Sequence, residues 1–300
     1  MWQPAPGWQR LPGSGPSSLG VWTAQEDGRR VVIKRLVAPT PHDDALRSHL
    51  RHPAYWRRAA DVACSGVVAR TPGLREPGVV RVTEDAQGIT LVHEWVEPHP
   101  RSARSLAHCL GRFAAADLPE QPWFVRGQLD ARLQQVERRG GWRTLARTPV
   151  ADLSNALWQR RGSYLARLAA MPQVPQHGDP VPGNLWGADD EDVIALDWAT
   201  LGYGPHGADL GYLALSVPEE LDTLLEAYVT GAAAIFDPQA VRLAARCTAV
   251  FTVLTRADWA LSRVAPGEGA LAGKFTHPSI APYIRAMQRQ LPMMKSLLEV

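Results

Sequence analysis

Residues 176–198 read QHGDPVPGNLWGADDEDVIALDW, and their spacing governs how the rest of the chain is read. Asparagine occurs only at Asn155 and Asn184. Asn184 follows Asp179 by five residues, and an apolar run then closes on a lone Asp197. The acids from Asp189 to Asp192 read as a solvated turn between two short strands, Leu185-Trp186 and Val193 to Leu196. A hairpin centred between Asp190 and Glu191 sets Asn184 opposite Asp197. Directly opposed residues in an antiparallel pair hold their Cβ atoms about 5 Å apart. An amide oxygen and a carboxylate at one end of a hairpin suit a hard divalent cation such as magnesium, which takes oxygen ligands and keeps several waters. Asp179 lies just upstream, in a loop that Pro180, Pro182 and Gly183 restrict or bend. A carboxylate beside a magnesium–phosphate centre can orient a hydroxyl and accept its proton, which is what phosphoryl transfer asks of a protein.

Outward from this stretch, the two halves of the chain differ in period. Residues 19–36 predict a β-hairpin turning at Asp27-Gly28, a favoured tight-turn pair. Residues 78–97 predict a second, turning between Asp85 and Gly88, and a helical pattern starts near His52. Beyond Pro98, His99 and Pro100 the apolar spacing becomes three and four residues, over 102–118, 123–139, 151–171, 220–236, 238–264 and 279–299. The fold class is therefore α+β and bilobal. Residues 1–96 form a small β-rich lobe with a hinge near 93–98, and 97–300 form a larger, mainly helical lobe carrying one β-hairpin. No internal repeat is visible.

Composition narrows the function. The chain has 300 residues, 45% hydrophobic, with formal net charge +2, so electrostatics imply neither a nucleic-acid nor a membrane partner. No apolar run approaches ~20 residues, the length a membrane span needs. The N-terminus lacks the pattern of a secretory signal. Cys64, Cys109 and Cys247 are far apart and form no CxxC pair, which fits a reducing cytoplasm and neither disulfide nor zinc. Among 32 basic residues only Lys34, Lys274 and Lys295 are lysine. A lysine kept in so arginine-biased a chain, at the end of the strand VVIK, suits phosphate oxygens as a flexible point charge.

HGDPVPGNLW together with IALDW resembles the signature of aminoglycoside phosphotransferase-like kinases, relatives of choline kinases and of the protein-kinase fold. The resemblance runs from about residue 10 to 260. It implies ATP- and Mg2+-dependent transfer of the γ-phosphate to a hydroxyl of a small molecule. Asp179 matches the catalytic Asp, Asn184 and Asp197 the metal ligands, and Lys34 the phosphate-binding lysine. His177 and Asp209 match supports of the catalytic loop, a helix N-cap being the other reading of Asp209. Gly13, Ser14 and Gly15 occupy the place of the phosphate-covering loop. The Glu94 carbonyl and Val96 amide fall where the adenine edge binds.

One feature departs from the family: Ala59 and Ala60 stand where the helix glutamate that pairs with the strand lysine is expected. Asp61, Asp43 and Asp44 are the candidate substitutes, and the gap keeps open a second reading, a nucleotide-binding pseudokinase scaffold without turnover. No DFG or APE element supports a protein kinase. Asp222, Glu226, Asp258 and Glu268 are candidates to meet the ammonium groups of an aminoglycoside, and Trp259 and Tyr283 to stack on a sugar or enclose a quaternary ammonium. No residue separates aminoglycoside, choline, sugar and homoserine.

Overall fold

Both N-terminal hairpins are present in the computed structural model, which describes residues 2–12, 15, 17–142, 149–189, 192–264 and 281–299. Asp27 and Gly28 have φ of 48° and 75°, the left-handed pair that a two-residue hairpin turn requires. They join β2 (Ser18–Glu26) to β3 (Arg29–Val37), and Ala86-Gln87 joins β5 (Val79–Asp85) to β6 (Gly88–Glu94). A short β1 (Gln9–Leu11), unanticipated from sequence, pairs with β2 through Gln9↔Thr23. The sheet order is β1-β2-β3-β6-β5.

The two-residue period of β3 gives the sheet two faces. Val31 and Ile33 pack with Val92 on one. On the other, Leu36 meets Ile89, Leu91 and the alanines Ala59, Ala60 and Ala63 of α1 (Arg58–Ser65). Lys34 shares the alternation of Leu36, so it projects on the side that α1 covers. The helix starts at Arg58 rather than near His52, because residues 49–55 are spent in turns around Pro53.

The remainder is mainly helical: α2 (Ala103–Ala114), α3 (Gln128–Arg138), α4 (Pro149–Ala169), α5 (Ala208–Ala214), α6 (Leu221–Gly231), α7 (Pro238–Val264), α8 (Ala281–Arg289) and α9 (Leu291–Leu298). One core joins α2 and α6 through Leu110, Phe113, Leu224 and Tyr228; another joins α3, α4 and α7 through Leu133, Leu157, Phe251 and Leu254. Where the sequence predicts one hairpin here, the structure has two three-stranded sheets. In the first, β9 (Leu185–Asp189) and β10 (Asp192–Ala195) are joined by β4 (Leu74–Arg75); in the second, β11 (Gly202–Pro205) lies between β7 (Val125–Arg126) and β8 (Gln173–Gln176). Such two- to five-residue strands are too short to show a period. Among the described residues no helix is long and apolar enough to cross a membrane.

Candidate active site

The loop from Gln176 to Asn184 connects β8 to β9, and nearly every polar group at its start is committed. Asp209, at the start of α5, accepts from the His177 N–H at 2.7 Å and the Gly178 N–H at 3.0 Å. Thr200 donates to the His177 carbonyl at 2.9 Å, and Gln128 to the Gly178 carbonyl at 2.9 Å. Gly178 sits at φ 82°, and a Cβ there would lie 2.7 Å from Gln128 Oε1 and 2.8 Å from the Thr200 carbonyl, so only glycine fits.

His177 is fully buried, and its ring Nε2 lies 2.9 Å from the Leu196 carbonyl. Its Nδ1 accepts from the Asp179 N–H at 3.3 Å. One donor and one acceptor define a neutral imidazole, and burial holds its pKa below the ordinary value. Burial pushes the Asp209 carboxyl up to about 7, with its two backbone donors pulling the other way. Both residues hold the loop. Asp209 lies in the first turn of α5, and Gly207 takes the N-cap position, so the helix-cap reading does not hold.

Asn184 donates to the Asp179 carbonyl at 3.0 Å and to its carboxylate at 3.2 Å. That leaves the amide oxygen of Asn184 as its remaining acceptor. The hairpin register corrects one expectation. Asp192 pairs with Asp189, as a turn centred on 190/191 requires, but Ile194 then pairs with Trp186 and Ala195 with Leu185. The bulge falls beside Gly187, at φ 56°, where a Cβ would lie 2.7 Å from the Val96 side chain. Asn184 therefore faces Leu196, whose N–H donates to its carbonyl at 2.7 Å, and Asp197 lies one residue beyond. Asp197 itself has φ 59°, a conformation that non-glycine residues adopt at a cost and that gathers at functional sites.

The Lys34 ammonium reaches Asp197 Oδ1 at 2.6 Å. Burial by itself would raise the Asp197 carboxyl, but Lys34 outweighs it and holds the group below its ordinary value. Asp179, Asn184, Asp197 and Lys34 thus converge. The acids expected to substitute on the lysine are committed elsewhere: Asp43 to Thr40 and Arg47, Asp44 to the Leu46 N–H, and Asp61 to Arg57. Glu94 ends β6 exposed, and Val96 is half-buried against Gly187. Gly13 and Ser14 lie outside the described residues; Gly15 precedes β2 and accepts from Ser18 at 3.0 Å.

The sequence as a whole points the same way: residues 8–244 match the phosphotransferase enzyme family. The chain belongs to that family. No curated protein sequence matches this phosphotransferase. Among solved structures it is similar to the GDP complex of aminoglycoside 2'-phosphotransferase-IIIa, at 11% identity and TM-score 0.64, covering 95% of this chain and 92% of that one. It is also similar to a choline/ethanolamine kinase family protein from Mesorhizobium loti, at 16% identity and TM-score 0.56 over 94% and 92%. A third similarity is to aminoglycoside phosphotransferase APH(3'')-Id from Streptomyces rimosus, solved with ADP and streptomycin, at 21% identity and TM-score 0.51 over 81% and 92%. At these identities the likeness is one of fold.

Sequence reasoning missed two features of the phosphotransferase. Arg58, fully buried at the start of α1, donates to the carbonyls of Trp123, Ala199, Leu50 and His52 at 2.6–2.9 Å. It ties α1 to the turn after Asp197. Burial lowers its pKa to about 10, still charged at neutral pH. The second is Tyr212 of α5, also buried. Arg256 donates to its hydroxyl at 2.6 Å, and the guanidiniums of Arg132 and Arg256 lie 5.0 and 4.7 Å from its ring centroid. Burial raises the phenol pKa; Arg132 and Arg256 act against that, and the Asp179 carboxylate adds to it. An isolated Arg or Tyr in a helical pattern carries no sequence signal of such a role.

Proposed function

We propose that the chain is a kinase that transfers the γ-phosphoryl group of ATP to a hydroxyl of a small molecule, with magnesium. The observation that carries this reading is the convergence of Lys34, Asp197, Asn184 and Asp179, drawn from both halves of the chain, on one place. The nucleotide lies between an N-lobe of residues 1–96 and a C-lobe of residues 97–300, with the hinge near 93–98. Glu94 and Val96 meet its base, Gly13, Ser14 and Gly15 cover its phosphates, and Lys34 binds them. ADP and GDP occupy the structures of two of the similar proteins.

The donor set fits magnesium. Asn184 has an amide oxygen unspent, and Asp197 supplies a single carboxylate, the sparse protein share that a phosphate-bound magnesium takes. Bound there, the ion would neutralise phosphate charge. Asp179 orients the acceptor hydroxyl and accepts its proton, and the frame of His177, Asp209 and Asn184 keeps that carboxylate in place. Binding energy spent on orientation is the main catalytic resource here.

The core position of Ala59 and Ala60 favours a second reading, a nucleotide-binding scaffold without turnover. Two measurements separate them. Thermal stability with ATP, with and without magnesium, reports nucleotide binding. ADP release in a coupled assay across an acceptor panel reports turnover. A kinase gives both, and Asp179→Asn removes at least about 1000-fold of the rate while leaving ATP affinity nearly unchanged. Binding of Mg·ATP with no turnover on any acceptor would establish the scaffold.

A further inference from the structure

A cavity of about 600 Å³ opens beside the loop, walled by α3, α4, α5 and α7 and by β8 and β11. Gly178, Asp209 and Tyr212 form its wall on the loop side, and this size suits a small molecule. Its charges are unusual for a site meant for amines. Asp258 and Asp222 do not line it and are ion-paired, with Arg139 and Arg242 at 2.5 Å each, and the lining Asp209 accepts from two backbone N–H groups. Of the lining acids only Asp130 remains, and it accepts from Gln134 at 2.8 Å.

The guanidiniums at Tyr212 are in the opposite condition; Arg132 lines the cavity, and Arg256 adjoins it through the lining Tyr212 hydroxyl. Arg132 donates to Thr252 at 3.3 Å and Arg256 to Tyr212. Among the described residues neither forms an ion pair, whereas the lining Arg126 is paired with Glu120 at 2.9 Å. Both guanidiniums lie against Tyr212, which lines the cavity together with Gly178 of the loop that carries Asp179. Two further polar atoms of lining residues, Gln176 Nε2 and Thr248 Oγ1, have no partner.

We propose that the acceptor is an anion: a small alcohol carrying a carboxylate or a phosphate, held over Tyr212 by Arg132 and Arg256. This rests on the kinase reading above. Guanidinium forks match both oxyanions in two-point geometry. With the anionic end fixed there, the hydroxyl end is presented to Asp179. In the transfer, the acceptor oxygen forms a bond to the γ-phosphorus and the bond from phosphorus to the β–γ bridging oxygen breaks. ADP leaves with that electron pair, and the hydroxyl proton passes to Asp179.

The test measures melting temperature in saturating Mg·ADP, with glycerate, glycerol 3-phosphate, glycerol, choline or kanamycin added. It uses the wild type, Arg132→Gln, Arg256→Gln and the two Lys variants. At least one of the two anions is expected to raise the wild-type melting temperature by at least about 2 °C, as ligand linkage requires. Both Gln variants lose that shift, and the Lys variants keep part of it. Which anion protects separates a carboxylate from a phosphate acceptor. Protection by choline or kanamycin but by neither anion overturns the proposal, as does anion protection undiminished in both Gln variants. If those variants do not fold, the wild-type charge series decides alone. Protection by Mg·ADP with none from either anion sinks only this proposal; absence of Mg·ADP protection sinks the kinase reading itself.

Discussion

Asp197 carries the sharpest residue-scale consequence, because Lys34 and the proposed metal compete for its oxygens. Asp197→Ala is expected to remove the magnesium dependence of ATP binding, since Asn184 alone offers a neutral oxygen; calorimetry with and without the ion reads this directly. Unchanged Mg·ATP affinity would show that the metal binds elsewhere. Asp209 acts one step back. Asp209→Asn replaces one of two acceptors with an N–H group facing an N–H group, so the loop loses its frame and Asp179 its aim. Turnover should fall by about 100-fold, the cost of a misplaced reacting group, while ATP affinity measured by calorimetry changes far less. Asp179 and Asn184 were legible through HGDxxxxN, Asp197 through IALDW, and Asp209 only through the resemblance of GPHGADLGYL to the family. Tyr212, Arg132 and Arg256 were not. They lie on three helices, and nothing in a helical pattern says which polar positions meet across a cavity.

At the scale of elements, hairpins, including the short β9–β10 pair, and long helices could be read, and short strands outside a hairpin could not. A Asp27-Gly28 turn or a 27-residue α7 announces itself by turn chemistry or period. Two-residue strands such as β4 and β7 exist only because a partner strand lies beside them. The one-residue slip in the β9–β10 hairpin has a similar cause: the bulge at Gly187 answers the approach of Val96, a contact distant in sequence. Helix α1 is where the departure from the family becomes structural. Its Ala60 has 0% exposure against Leu36, Ile89 and Leu91. Ala60→Glu should therefore cost about 3 kcal/mol or more by burying a carboxylate before it could serve Lys34. Arg58→Met should cost about 3–5 kcal/mol, because four carbonyls lose a charged donor inside the protein. Urea unfolding of each variant measures both; a loss below about 1 kcal/mol for Arg58→Met would show that water replaces the guanidinium.

For the whole molecule, the pH dependence of stability has one source that can be isolated. Glu76 is buried, its Oε1 has no partner, and burial pushes its carboxyl up to about 7. The native state then keeps a proton that the unfolded chain releases from about 4.5 upward. Stability from this group is full in acid and drains as pH rises through about 7. Glu76→Gln should remove that decline and be more stable than the wild type at pH 8 by roughly 3 kcal/mol, with little difference at pH 4; equal stability at both would show that Glu76 is solvated. Arg58 has a consequence of another kind. In protein kinases the helix over the nucleotide lysine is a moving part, and its swing turns activity on and off. Here the one acid of that helix, Asp61, is held by Arg57, and a buried guanidinium fastens the helix to the turn after Asp197. Moving it outward would strand the Trp123, Ala199, Leu50 and His52 carbonyls and expose a core alanine face. The four bonds of one side chain thus lock in place an element that its sheet alone would leave free to swing.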